Sequence, residues 1–181
     1  MININRVSLK PAESSDIEIL YLWFSGDDRF LWTNDRTHYS FSEFCESFHN
    51  RQREYYYNFM VIRRSVSSEP VGFIYAYNYQ QMNGFIYTTC YIKEDVRNFG
   101  IGALAVIAYY DMWFREHPII KICNEVFEYN QASLSSLTRE FHLDGVLRRH
   151  RYYNGRYYDL YHFSILREEF YTWFNRHINS S

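Results

Sequence analysis

Between positions 91 and 103 the chain reads Tyr-Ile-Lys-Glu-Asp-Val-Arg-Asn-Phe-Gly-Ile-Gly-Ala. An apolar strand end runs into Arg-x-x-Gly-x-Gly and straight on into the start of a helix. Glycines at 100 and 102 let the backbone bend tightly and let a ligand approach without Cβ interference. The first amides of the following helix are unpaired and lie at its positive dipole end. Such a strand, turn and helix form an anion cradle that suits a diphosphate. Two other phosphate patterns do not fit. A dinucleotide turn needs Gly-x-Gly-x-x-Gly early in a βαβ unit with an acidic residue roughly 20 positions later, and a phosphate loop needs Gly-Lys-Ser/Thr.

The length of 181 residues predicts a single domain spanning 1–181, able to bury a core without disulfide or metal support. A net charge of -2 speaks against a nucleic-acid binder that relies on a broad basic field. No apolar run approaches the roughly 20 residues needed to span a bilayer, and the first residues lack the basic start and apolar stretch of a secretory leader, so a cytoplasmic location is expected. Cys45, Cys90 and Cys123 are an odd number at wide spacings, read as reduced structural thiols, and no metal site is expected. Aromatic residues make up 21% of the chain, so rings are available both for core packing and for walling a wet cleft, as at Tyr55-Tyr56-Tyr57 and Tyr152-Tyr153.

Periodicity predicts a strand over 2–9 ended by Pro11, then a helix capped by Ser14-Ser15-Asp16, a polar loop over 25–40, and a helix over 41–54. Strands follow over 57–63, 71–79 and 85–92, an antiparallel meander leading to the glycine turn. A helix over 101–115 comes next, with Leu104, Ala105, Ala108, Tyr109 and Met112 on its buried side. After Pro118 come a strand over 119–127 and a short helix over 130–140. Strands over 146–153 and 156–165 pair across Asn154-Gly155, a strong two-residue hairpin pattern, and a helix over 166–177 ends the chain.

This order, together with Arg97-x-x-Gly100-x-Gly102, Asn130-x-x-Ser133, Phe141-x-x-Asp144-Gly145-x-x-Arg148 and Asn154-Gly155-x-x-x-Asp159, resembles the GNAT superfamily of acyl-CoA-dependent N-acyltransferases. The nearest branch is the one that acetylates ribosomal-protein N-termini and small amines. The resemblance implies an α+β fold: a central, mostly antiparallel twisted sheet, splayed between strands 4 and 5 and flanked by helices. It implies acetyl-CoA as co-substrate. Tyr91 and Ile92 would pair with the pantetheine arm, Arg97, Asn98, Phe99, Gly100, Ile101, Gly102 and Ala103 would hold the diphosphate, and Asn130 and Ser133 would meet the pantetheine and the thioester end.

The implied reaction is acetyl transfer to a primary amine of a small molecule or amino sugar by direct attack in a ternary complex. Protein N-terminal acetylation and a catalytically weak acyl-CoA-sensing module are the alternatives. Such chemistry needs an acceptor for the ammonium proton, a site for the oxyanion and stabilisation of the leaving thiolate. Ser133 is the expected thiolate stabiliser, and proton acceptance is expected through water reaching Tyr87 or Glu125. An unperturbed tyrosine, with a pKa near about 10, relays or positions better than it abstracts. The sequence departs from the family at three places: Tyr87 stands where many relatives carry a carboxylate, Ser136 or Leu137 where many carry a tyrosine, and Arg151 where some carry a glutamate. The acceptor pocket is expected from the first interhelical loop and the last hairpin, through Arg29, Trp32, Asp35, His38, Tyr153 and Tyr157. The protein is expected to act as a monomer or homodimer without nucleic-acid or membrane partners.

Overall fold

Aromatic and β-branched residues alternating through β2 (Tyr57–Arg64) and β3 (Pro70–Gln80) make strands whose two faces are both apolar, so the sheet must be covered on both sides. The computed structural model describes residues 6–33, 35–54, 57–97 and 100–178. Around those two strands it places β1 (Val7–Pro11), β4 (Phe85–Ile92), β5 (Lys121–Phe127), β6 (His142–Tyr153) and β7 (Arg156–Leu166) in one seven-stranded sheet of order β1-β2-β3-β4-β5-β7-β6. Every neighbouring pair is antiparallel except β4 and β5, which run parallel. Among the described residues, no helix is long and apolar enough to cross a membrane.

Helices α3 (Ile101–Glu116) and α5 (Arg167–Ile178) cover one face, packing Leu104, Tyr109, Trp113 and Phe170 against Ile62, Ile74, Ile86 and Ile122. Helices α1 (Ile17–Ser25) and α2 (Phe41–Glu54) cover the other, where Leu20, Trp23, Phe44 and Phe48 meet Phe59, Phe73 and Tyr91. Each fully buried ring contributes about 1.5–3 kcal/mol, which accounts for much of the aromatic excess. Gly72 is required on steric grounds, because a Cβ there would come within 2.1 Å of the Tyr91 carbonyl oxygen. Helix α4 (Gln131–Glu140) follows β5 and carries no fully buried residue.

The expected fold class is the observed one, and the differences lie at element ends. β1 begins at Val7 among the described residues and continues through Pro11, paired with Met60, because an edge strand tolerates a residue without an amide hydrogen. β6 starts four residues early, at His142, and its pairing with β7 shifts register after Leu143 and again after Leu147, where Arg149 takes a positive φ. Helix α3 is buried over a wider arc than the predicted stripe: Ile101, Ile107, Tyr110, Trp113 and Phe114 are buried, while Ala108 and Met112 are only half-buried. Tyr55 and Tyr56 lie outside the described residues.

Candidate functional site

β4 and β5 hold together over three rungs only, Phe85 with Lys121, Ile86 with Ile122 and Tyr87 with Cys123. Past Tyr87 the strands part. β4 stays paired with β3 as far as Ile92, and β5 with β7 as far as Phe127, so each arm keeps one partner and the edges facing each other across the gap have no strand between them. At the mouth of the gap a 3-10 turn at Glu94–Val96 leads to Gly100, whose φ of 75° starts α3 in the left-handed region that glycine adopts freely. The first amide bonded back along α3 is that of Leu104, to the Gly100 carbonyl, so the amides of Ile101, Gly102 and Ala103 precede the helical ladder. Gly102 lies against β4: a Cβ there would stand 3.3 Å from Cγ1 of Ile92. Asn98 and Phe99 fall outside the described residues.

Arg97 turns inward. Its Nε donates to the Ile92 carbonyl at 2.8 Å, its Nη2 meets Asp28 at 2.6 Å, and the guanidinium lies 5.7 Å from the centre of the Tyr91 ring. Burial raises the Tyr91 phenol strongly, and the Asp28 carboxylate adds to the shift.

Side chains alternate across the opening. On the α3 side, Thr88 and Asn124 are joined through Tyr110: Thr88 Oγ1 lies 2.8 Å from the Tyr110 hydroxyl, Asn124 Oδ1 lies 3.1 and 3.0 Å from these two hydroxyls, and one hydroxyl donates to the other while the second donates to Oδ1. The Asn124 amide nitrogen is buried and has no partner, leaving one donor at the floor of the gap. On the opposite side stand Tyr87 and Glu125. Glu125 accepts from the Tyr77 hydroxyl at 3.2 Å and has Nε2 of His162 at 3.6 Å; His162 is its register partner on β7 and packs edge-on to Tyr87 at 6.4 Å. Burial pushes the Tyr87 phenol up, with Cys123, Glu125 and Asp144 adding to it. Burial likewise holds the Cys123 thiol protonated, pushed up to about 11. The structure therefore brings Tyr87 and Glu125 to one cluster and adds His162 and Tyr77, which sequence reasoning missed. The β3–β4 register brings Tyr77 beside Tyr87 and the β5–β7 register brings His162 beside Glu125, and no local pattern encodes either register.

The loop after α1 crosses the opening as a strap. At one end Asp28 meets Arg97; at the other the Phe30 carbonyl accepts from the Tyr129 hydroxyl at 2.6 Å, the Leu31 carbonyl from the Asn130 side chain at 3.1 Å, and the Thr33 carbonyl from Arg151 at 3.1 Å. Asn130 also caps α4, its side-chain oxygen accepting from the Ser133 amide at 3.3 Å. The Ser133 hydroxyl has no hydrogen-bond partner among the described residues, and no contact joins Ser133 to Glu125 or Tyr87. Trp32 lies in the aromatic cluster, 5.0 Å from Phe73 and 5.9 Å from Tyr91. Asp35 pairs with Arg51 and accepts from the Tyr39 hydroxyl, and His38 adjoins Arg29. Tyr153 stacks on Tyr129 at 4.6 Å and reaches Phe30 at 5.5 Å, whereas Tyr157 is exposed on the hairpin against Tyr152.

A sheet that opens between two parallel strands beside a glycine-begun helix is the architecture of acyl-group transferases. Residues 6–139 match the family described as an acetyltransferase (GNAT) domain, and the chain belongs to this family of acetyltransferases. Among solved structures it is similar to the spermidine N-acetyltransferase of Vibrio cholerae in complex with CoA and spermine (16% identity, 92% of this chain and 98% of that one, TM-score 0.83). It is also similar to a ribosomal L7/L12 alpha-N-protein acetyltransferase in complex with coenzyme A (20% identity, 89% and 94%, TM-score 0.76). A third similar structure is the Salmonella typhimurium acetyl transferase that modifies the N-terminal serine of L7/L12 (20% identity, 91% and 98%, TM-score 0.73). A search of curated protein sequences gave no match.

Proposed function

We propose that the protein transfers an acetyl group from acetyl-CoA to the primary amine of a small molecule. The observation that carries this reading is the Glu125–His162 pair standing where β4 and β5 part, on the face opposite α3. The opening fits the co-substrate. Unpaired strand edges await an extended amide-bearing arm, the glycine-begun helix offers amides to a diphosphate, and Asn124 presents an orphaned buried donor. Arg97, Gly100, Ile101, Gly102 and Ala103 would hold the diphosphate, and Tyr91 and Ile92 the pantetheine.

Bound acetyl-CoA supplies the activated acyl group. Glu125, steered by Tyr77 and flanked by His162, accepts a proton from the acceptor's ammonium and so frees the amine that attacks the thioester carbonyl. The nitrogen–carbon bond forms to give a tetrahedral oxyanion, the carbon–sulfur bond then breaks, the proton shed by the new amide nitrogen goes to the departing sulfur, and the free hydroxyl of Ser133 donates a hydrogen bond to that thiolate. Tyr87, its phenol raised by burial, stays protonated and positions rather than abstracts. The strap supports a small acceptor over a polypeptide, because its ties to Arg97, Tyr129, Asn130 and Arg151 narrow the opening.

The test combines thermal shift with acetyl-CoA and thiol release over an amine panel. Acetyl-CoA should raise the unfolding midpoint saturably. Glu125→Gln should keep that shift while lowering kcat by about 10²-fold or more. No shift at millimolar acetyl-CoA would overturn the co-substrate, and unchanged turnover in Glu125→Gln would remove it as the base.

A further inference from the structure

Tyr87 and Cys123 form the last rung between β4 and β5, and the next residues along are Thr88 on one strand and Asn124 on the other. Their side chains join the two strands where the backbones stop pairing. Thr88 Oγ1 lies 3.1 Å from Asn124 Oδ1, and the Tyr110 hydroxyl of α3 stands 2.8 Å from the first and 3.0 Å from the second. One point directly under the fork thus ties β4, β5 and α3 together. The tie is shut away from water, with Thr88 5% and Tyr110 1% exposed. Two residues further down the same face, Ile86 and Ile122 are completely buried in the core under α3. On the opposite face the last rung is closed by Cys123, 4% exposed. The fork is therefore a blind end.

The other end of the gap is open. β4 runs from Thr88 at the fork to Ile92 at the mouth, beside the glycine-begun start of α3. That distance is about 14 Å at roughly 3.4 Å per residue. An extended arm anchored at the mouth and lying along β4 carries its far end towards the tie.

We propose that the Thr88–Tyr110–Asn124 tie is a stop that sets the length of the acyl group, admitting acetyl and refusing butyryl, which makes these three specificity-determining residues. The inference rests on acetyl-CoA lying in the gap as proposed above. An acetyl group adds only a methyl beyond its carbonyl. A butyryl chain carries two more methylenes, and pressed into the fork they would part the buried hydroxyls from the Asn124 oxygen, leaving polar groups without partners in a dry site. The chain would also set apolar carbon against the buried amide nitrogen of Asn124, which has no partner of its own.

Calorimetry with CoA, acetyl-CoA and butyryl-CoA, with no amine present, tests the stop apart from turnover. Wild type should bind butyryl-CoA at least about tenfold more weakly than acetyl-CoA. Thr88→Ala and Asn124→Ala each remove part of the floor, and either should bring the two affinities to within about threefold. The ratio is what is read, so a general loss of binding or stability in a variant does not mimic the result. Should neither alanine variant fold, Tyr110→Phe, which keeps the ring and removes its hydroxyl, should narrow the ratio by about threefold or more. Equal affinity for acetyl-CoA and butyryl-CoA in wild type overturns the stop while leaving the co-substrate standing, as does an unchanged ratio in the variants that fold. Failure of all three ligands to bind overturns the co-substrate reading, and the stop with it.

Discussion

Arg97 holds two partners that the proposed co-substrate would also need to displace or use, the Ile92 carbonyl and Asp28. A diphosphate bound at the start of α3 as proposed would draw the guanidinium outward, and Asp28 would hold it back. Removing that competitor should help the ligand, so Asp28→Asn is expected to tighten CoA binding by about threefold to tenfold, a change of about 1 kcal/mol typical of a half-exposed ion pair. Calorimetry reads it, and weaker binding in the variant would show that Asp28 organises the cradle instead. Residue-scale detail was the least legible part of the sequence. Glu125 and Tyr87 were within reach as candidates, yet His162 stands 37 positions from Glu125 and meets it only through the β5–β7 register. Arg151, read as a missing glutamate, proves to be a buried tie to the Thr33 carbonyl across 118 positions.

Elements were legible where local patterns decide them. α2 over Phe41–Glu54 and β4 over Phe85–Ile92 follow from periodicity and flanking turn residues, and Asn154-Gly155 turns β6 into β7 as its two-residue type demands. Ends that depend on a neighbour were not legible: β1 runs on through Pro11 because only one side of it is paired, and β6 begins early because two bulges let it keep step with β7. The join of β4 to α3 carries its own prediction. Gly102 lies in the first turn of α3, against Ile92, so Gly102→Asp puts a carboxylate at the helix start proposed to take the diphosphate. Loss of at least 10²-fold in CoA affinity is expected from like-charge repulsion there, with far-ultraviolet dichroism unchanged. Undiminished affinity would place the diphosphate elsewhere.

At the scale of the whole molecule, titratable groups buried in the core under α3 and within the sheet account for an alkaline limit to stability. Burial keeps the Cys123 thiol protonated until about 11 against an ordinary 9.0, and it raises the Tyr109 and Tyr110 phenols well above 10.0. The unfolded chain therefore loses these protons at lower pH than the folded one, so stability is steady below about 9 and falls as pH rises, by about 1.4 kcal/mol per pH unit for each such group. The urea midpoint is expected to drop steeply between pH 9 and 10.5, and a flat midpoint over that range would contradict the burial of these groups. The sheet that separates the cores has a mechanical consequence. It is two leaves, β1 to β4 and β5 to β7, bound along a spine of three rungs. A pull applied across that spine meets only three rungs of strand pairing, and the packing beneath α3 and α5 and the ties of the strap carry the rest of the load. An acetyl-CoA bound along the gap as proposed would stitch the leaves together, so the toughness of this protein would then depend on what it carries.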